Sequence, residues 1–167
     1  MTSNKIHESA QRLLKRCDSR NPFKISKELG VHVIFRNDFA SLKGMYKVIL
    51  RNRFIFINGN LDEFEQRVIC AHELGHDTLH RDIPVHLETA FYDTKNRMEY
   101  EANAFAAEIL LDDNEVVGLV ADGLDESGIA ASFGVSVDLL LIKLSEMNRR
   151  GYEFSLSRVG SGDFLRG

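Results

Sequence analysis

Apolar residues change their period along this chain, and the changes mark out its elements. Ile6, Ala10, Leu13, Leu14 and Cys17 recur at helical spacing and predict an amphipathic helix over residues 5–17. Asn21-Pro22 reads as an N-cap followed by proline at the first helical position, opening a short helix through Leu29 that Gly30 ends. The run at residues 31–35 predicts a strand. Two further β-rich runs, residues 43–50 and 53–57, are separated by Arg51-Asn52 and predict a hairpin. Asn58-Gly59-Asn60 then turns the chain into a helix, whose Asp62 and Glu65 form a capping-box-like start. One stripe of that helix runs through Phe64, Val68, Ala71, His72, Gly75, His76 and Leu79, with Pro84 closing the segment.

Residues 81–93 have weak periodicity and read as a loop. Asp93-Thr94 caps a strong helix at about residues 95–111. Shorter helices over residues 113–121, 126–133 and 137–149 are punctuated by Gly123, Gly134 and Gly151, and a polar, glycine-rich tail follows. Helices, a small antiparallel sheet, a long helix and more helices make an α+β fold.

With 167 residues, 44% of them apolar and 28% charged, the chain has the size and composition of a soluble domain with a real core. The expected organisation is a core over residues 1–111, a helical subdomain over 112–151 packed on it, and a flexible tail over 152–167. No run of 18 apolar residues occurs and Met1-Thr2-Ser3-Asn4-Lys5 lacks a signal's apolar centre, which points to the cytoplasm and to no membrane contact. Cys17 and Cys70 suit reduced thiols. Cys70 lies about 200° around the helix from His72, so it reads as an apolar buried thiol rather than a ligand. The net charge of −4 hides an asymmetry: residues 1–60 carry twelve Lys/Arg against four Asp/Glu, and residues 61–167 nine against twenty-one. Docking of the two parts on each other is the simpler account, and steering of an anionic partner the alternative.

His72-Glu73-Leu74-Gly75-His76 carries the chemistry. Positions i and i+4 share one helix face, so two imidazoles converge where one tetrahedral zinc can take both. Glu73 stands beside them as a general base. Gly75, costly inside a helix, leaves room for another backbone. A catalytic zinc needs a third protein ligand, and His80, His86, Glu88, Asp93, Glu99 and Glu101 all lie downstream. Eight helical residues span about 12 Å, too far for His72 and His80 to share an ion, so His80 reads as a helix-end residue. Glu99 shares a face with Ala102, Asn103, Ala106 and Leu110, where a buried carboxylate needs a compensating partner. Glu101 falls with Glu108 on a more polar face. The face argument therefore favours Glu99 over Glu101, with Asn103 placed to hold a ligating histidine. Tyr92, Tyr100 and His80 are candidates for stabilising an oxyanion.

The blocks Cys70-Ala71-His72-Glu73-Leu74-Gly75-His76 with Leu79-His80, and Glu99-Tyr100-Glu101-Ala102-Asn103-Ala104-Phe105-Ala106-Ala107-Glu108-Ile109-Leu110, resemble the ImmA/IrrE metallopeptidases. Asn21-Pro22-Phe23, Leu29-Gly30-Val31 and Gly44-Met45-Tyr46 are similar to that family's lead-in, so the resemblance covers about residues 5–150. It implies a zincin-like fold, His72, His76 and Glu99 as Zn2+ ligands, and Glu73 as catalytic acid/base. It also implies a cytosolic peptidase of narrow specificity. Short members of this kind cleave a helix-turn-helix repressor and derepress a phage or mobile element. Asp112-Asp113 departs from the Met-Pro often found there, which alters the helix exit and not the ligand set.

Two other classes compete. A zinc-containing antirepressor could sequester its partner without cutting it. A DNA-binding regulator could use residues 126–145, where Ala130, Gly134-Val135-Ser136 and Leu140 resemble a helix-turn-helix. Against the second, Val137, Leu139, Leu140, Leu141, Ile142 and Leu144 leave few side chains for bases. Residues 112–146 also hold eight acids and one Lys, the wrong sign for phosphate contacts.

Overall fold

The computed structural model of the chain describes residues 1–81 and 97–155 in full and residues 91–96 as backbone. Its described elements are α1 Ser3–Cys17, α2 Pro22–Glu28, β1 Val31–Arg36, β2 Gly44–Ile49, β3 Asn52–Asn58, α3 Glu63–Leu79, α4 Phe91–Leu110, α5 Asp113–Ala121, α6 Glu126–Phe133 and α7 Val137–Arg149. The class is α+β.

Side-chain caps set most helix starts. Asn21 accepts from the backbone N–H groups of Phe23 (3.0 Å) and Lys24 (3.4 Å), and Asp62 accepts from that of Glu65 (2.8 Å). Asp112, Asp125 and Ser136 open α5, α6 and α7 in the same way. The Asp112-Asp113 departure is thereby explained in part: Asp112 is the α5 cap. Helix α4 begins at Phe91, so Asp93 and Thr94 lie inside it and do not cap it. Their capping preference is local and weak beside helix packing. Pro84, His86 and Glu88 lie outside the described residues. Of the stretch read as a tail, Phe154 is held by Asn148 through two hydrogen bonds of 2.8 and 2.9 Å, and residues 156–167 lie outside the described set.

The sheet is mixed, which corrects the antiparallel expectation. Its order is β1-β3-β2, with β1 parallel to β3 (Val33 opposite Ile55) and β2 antiparallel to β3 (Tyr46 opposite Ile55). Alternation of apolar residues identifies a buried face, here Val31, Ile55 and Ile57, but it carries no information about strand direction. The hairpin turn also sits one residue earlier than expected. Ile49 pairs with Asn52, and Leu50 and Arg51 occupy the turn at φ of 49° and 66°.

The buried sheet face packs on α3, and α4 crosses α3 at Gly75. A Cβ there would lie 3.1 Å from both Cα and O of Ala102, so any side chain at 75 would press the two helices apart by a few tenths of an ångström. Helix α7 is buried almost all round, from Leu139 through Leu144, and Glu146 and Met147 are buried too. Lys143 is among these, with 0% exposure. Phe64 departs from the predicted inward stripe: it is 61% exposed.

The basic first third docks on the acidic remainder. Arg20 donates to the carbonyls of Glu108 (3.0 Å) and Ile109 (3.1 Å) and pairs with Asp112. Arg53 holds Asp77 at 2.9 Å, and Lys43 approaches Glu65 at 3.8 Å. Among the described residues, no single helix is long and apolar enough to cross a membrane.

Candidate metal centre

Three donor atoms meet where α3 and α4 cross. His72 Nε2 and His76 Nε2 are 3.1 Å apart, and Glu99 Oε2 lies 3.3 Å from the first and 3.7 Å from the second. Two donors on a tetrahedral zinc, each about 2.0–2.1 Å from the ion, are about 3.3 Å apart. The spacing and the N, N, O donor chemistry fit that ion.

Each imidazole is held by its other nitrogen. His72 Nδ1–H donates to Asn103 Oδ1 at 2.7 Å. His76 Nδ1 meets His80 Nδ1 at 3.1 Å, and His80 Nε2 meets Glu101 Oε2 at 3.0 Å. One proton arrangement satisfies the chain: His80 donates from Nε2 to Glu101 and accepts at Nδ1 from His76. Burial and the neighbouring His76 lower the pKa of His80, against the pull of Glu101, which favours this neutral form. Both His72 and His76 then direct Nε2 to the shared point, where a bound metal ion would displace any proton that atom carries.

The electrostatics concentrate on the carboxyls. Burial opposes ionisation of Glu99, yet hydrogen bonds and charge from His72 and His76 prevail and hold its carboxyl well below the usual range. Glu73 behaves oppositely. Burial pushes its pKa up and Glu99 adds to this, while His72, His76 and the Tyr46 backbone N–H oppose. Burial also disfavours the charged form of His72, but Glu99 and Glu73 outweigh it and raise its pKa.

The predicted residues divide clearly. His72, His76, Glu99 and Asn103 are brought together, with Glu73 beside them. Glu101 is not in the donor triangle, but neither is it on a solvated face. It is 5% exposed and Glu108 is 1% exposed, because α1 and α7 also pack on α4. Sequence reasoning missed the His80–Glu101 pair. The i+4 step from His76 to His80 was visible, but its acceptor comes from another helix. It also missed Asp77, buried under Arg53 and Arg81. Of the oxyanion candidates, Tyr100 donates to Glu146 Oε1 at 2.8 Å and His80 is occupied as above. The side chain of Tyr92 lies outside the described set. Cys70 is fully buried, and burial pushes its thiol up to about 12, as suits an inert core residue.

A two-histidine, one-carboxylate cluster on crossing helices, with an acid beside it, is a donor set that metallopeptidases use, and comparison with known proteins specifies the family. The IrrE N-terminal-like domain, a peptidase family, matches residues 26–145. An "uncharacterized immunity region protein 2" of Bacillus phage phi105 is 35% identical over 145 residues, covering 85% of this chain and 91% of that protein. Metallopeptidase ImmA of Bacillus subtilis (strain 168) is 27% identical over 168 residues, covering 95% and 97%. The chain belongs to the ImmA/IrrE family of metallopeptidases.

Proposed function

We propose that this protein is a zinc-dependent endopeptidase of narrow specificity, with a zincin-like core over residues 1–111, that cleaves a helix-turn-helix repressor in the cytoplasm and so derepresses a phage or mobile element. The observation that carries the chemistry is the His72–His76–Glu99 triangle with Glu73 beside it. The immunity-region name of the phage relative supports the regulatory setting. Two free, buried cysteines suit a reducing compartment.

His72 Nε2, His76 Nε2 and Glu99 Oε2 would hold the ion. Zinc, when bound, supplies Lewis acidity toward a peptide carbonyl and toward water. Asn103 and His80 keep the two imidazoles in the tautomer that leaves Nε2 available. Glu73, with its pKa raised by burial, takes a proton from the attacking water and returns it to the departing amide nitrogen.

Helix α7 supports the peptidase over a DNA-binding reading, because the face that would enter a groove is packed in the core. The decisive experiment is Glu73→Gln, with zinc content and cleavage of a co-expressed repressor from the same element both measured. The expected result is full zinc and a loss of cleavage of about 10²–10⁴-fold. Undiminished cleavage would overturn the peptidase reading. Relief of repression by Glu73→Gln with the repressor intact would establish sequestration instead.

A further inference from the structure

Strand β1 ends the sheet on the side away from β2, and among the described residues no strand lies beyond it. Backbone groups along a strand point alternately to either side. The Arg36 carbonyl accepts from the Gly59 N–H at 2.9 Å, so those of His32 and Ile34 also turn toward β3. Val31, Val33 and Phe35 therefore present their N–H and C=O groups to the open side. Natural edge strands are blunted by proline, lysine, a bulge or a covering segment. Val31-His32-Val33-Ile34-Phe35 holds neither Pro nor Lys, and its register with β3 runs unbroken. Nor is it covered: Ile34 is 37% exposed and Phe35 50%.

A groove of about 630 Å³ follows this edge. Phe23 and Lys27 of α2 form one wall, Val33 and Phe35 another, and the Phe23 and Phe35 rings stand 6.0 Å apart. Among the described residues no carboxylate lines it, and Lys27 is its one Lys or Arg. The surface therefore selects for an apolar strand with open backbone groups of its own, and not for a charged ligand.

We propose that β1 is a self-association edge, through which two copies of this chain pair antiparallel about a two-fold axis at Val33 and join their sheets into one. In that register Val33 faces Val33 and Val31 faces Phe35, and the open groups close about six backbone hydrogen bonds. On the outer face Ile34 of one copy meets His32 of the other. Arg36 falls opposite Gly30, which keeps the two Arg36 side chains at opposite ends. Sliding one copy by two residues sets His32 against Arg36 and loses about two of those bonds. The stretch is thus self-complementary in a single register, as a two-fold interface requires. Pairing leaves the metal centre open, because the strand beside Glu73 is β2, at the other side of the sheet: a Cβ on Gly44 would lie 3.4 Å from Glu73 Oε1. The inference does not depend on the peptidase reading.

The test is the solution mass of the full-length chain and the register of its contact. Light scattering at about 100 µM should give twice the 19.0 kDa of one chain. Val33→Pro should weaken self-association at least about tenfold, since it deletes an N–H that faces away from β3 and spares the ladder within each copy. Phe35→Lys, at an exposed position, should weaken it similarly. One variant acts on the backbone and the other on an exposed side chain, so either decides if circular dichroism shows the other unfolded. Cross-linking with diamide reads the register. Val33→Cys should form a disulfide between copies, because Cα atoms of such a pair lie about 5.5 Å apart. His32→Cys should not, since the same residue of the other copy is displaced by two positions. Cys17 and Cys70 are buried and stay out of the reaction. A single chain up to about 1 mM would overturn the proposal. So would a dimer indifferent to both folded variants, or a His32→Cys cross-link as strong as that of Val33→Cys. A single chain whose β1 amides gain protection from hydrogen exchange only with the repressor present would also overturn it, and would give the edge to another polypeptide.

Discussion

Helix α4 carries two carboxylates, Glu99 and Glu108, in histidine-containing clusters that look alike and have opposite fates. Glu99 meets His72 and His76; Glu108 meets His7 at 2.7 Å and stands near Asp113. In each, the nitrogen and oxygen donors lie within 4.8 Å of one another. The difference is what α7 and the residue after it supply. Lys143 Nζ sits 2.9 Å from Glu108 and 2.5 Å from Asp113, and Arg150 reaches the same two acids at 2.6 and 2.7 Å. Among the described residues, no Lys or Arg pairs with Glu99. A buried anion needs a compensating cation. At Glu108 the chain provides it; Glu99 is only half-buried, with its side chain 23% exposed, and among the described residues it meets two imidazoles, a donor set that a metal ion could share. Proximity of His and acidic groups alone does not separate the two.

The sharpest way to break this comparison is to delete each carboxylate. Glu99→Ala should abolish stoichiometric zinc binding, measured by elemental analysis after gel filtration, while Glu108→Ala should retain one zinc per chain. Zinc retained by Glu99→Ala and lost by Glu101→Ala would reassign the third ligand. Next in size, Lys143→Met should leave zinc content unchanged but destabilise the fold by about 3–5 kcal/mol in urea denaturation, because it strands buried carboxylates. A loss below about 0.5 kcal/mol would mean that water or Arg150 alone satisfies them.

Acid should distinguish the clusters too. Burial works against the charged form of Glu108, but His7, Lys143 and Arg150 lower its pKa from 4.5 to about 2. Because the folded value lies below the unfolded one, this stability is fully present above pH 4.5 and is lost as pH falls toward about 2. It amounts to about 3 kcal/mol. Glu108→Gln should flatten the stability profile across that window, and an unchanged acid limb would contradict the pairing. The smallest effect expected is at the relay behind His76. His80→Phe should weaken zinc affinity by about 10–100-fold in a competitive chelator titration while cleavage at saturating zinc is largely kept. Unaltered affinity would show that His80 does not orient His76.

Much of this was legible along the chain. Asn21 and Asp62 cap their helices as their spacing predicts, because capping is local chemistry, but the same signal at Asp93-Thr94 falls inside α4, and the caps at Asp112 and Asp125 emerge only in the structure. The pairing of His72 with His76 is equally local, since one helix carries both. Glu99 was reachable because the small residues around it marked the face of α4 that meets Gly75. The sheet resisted for a different reason: the alternation in residues 31–35 and 53–57 is the same whichever way neighbouring strands run, so the parallel β1–β3 pairing was invisible. The same holds for Glu101 and Glu108, which look like solvated acids until α1, α3 and α7 close over α4.

By itself, then, the sequence determined what short-range spacing can encode: most helix boundaries though not the start of α4, the two imidazoles on one turn, the acid beside them and the face of α4 that meets them. Only the tertiary structure decided what depends on partners distant in the chain. It decided that β3 lies between β1 and β2, that His80 and Glu101 hold His76 in one tautomer, and that Lys143 satisfies one buried carboxylate while none of the described cations satisfies Glu99. Helical periodicity constrains neighbours within a turn or two. Charge compensation in a buried site depends on whatever the fold brings there.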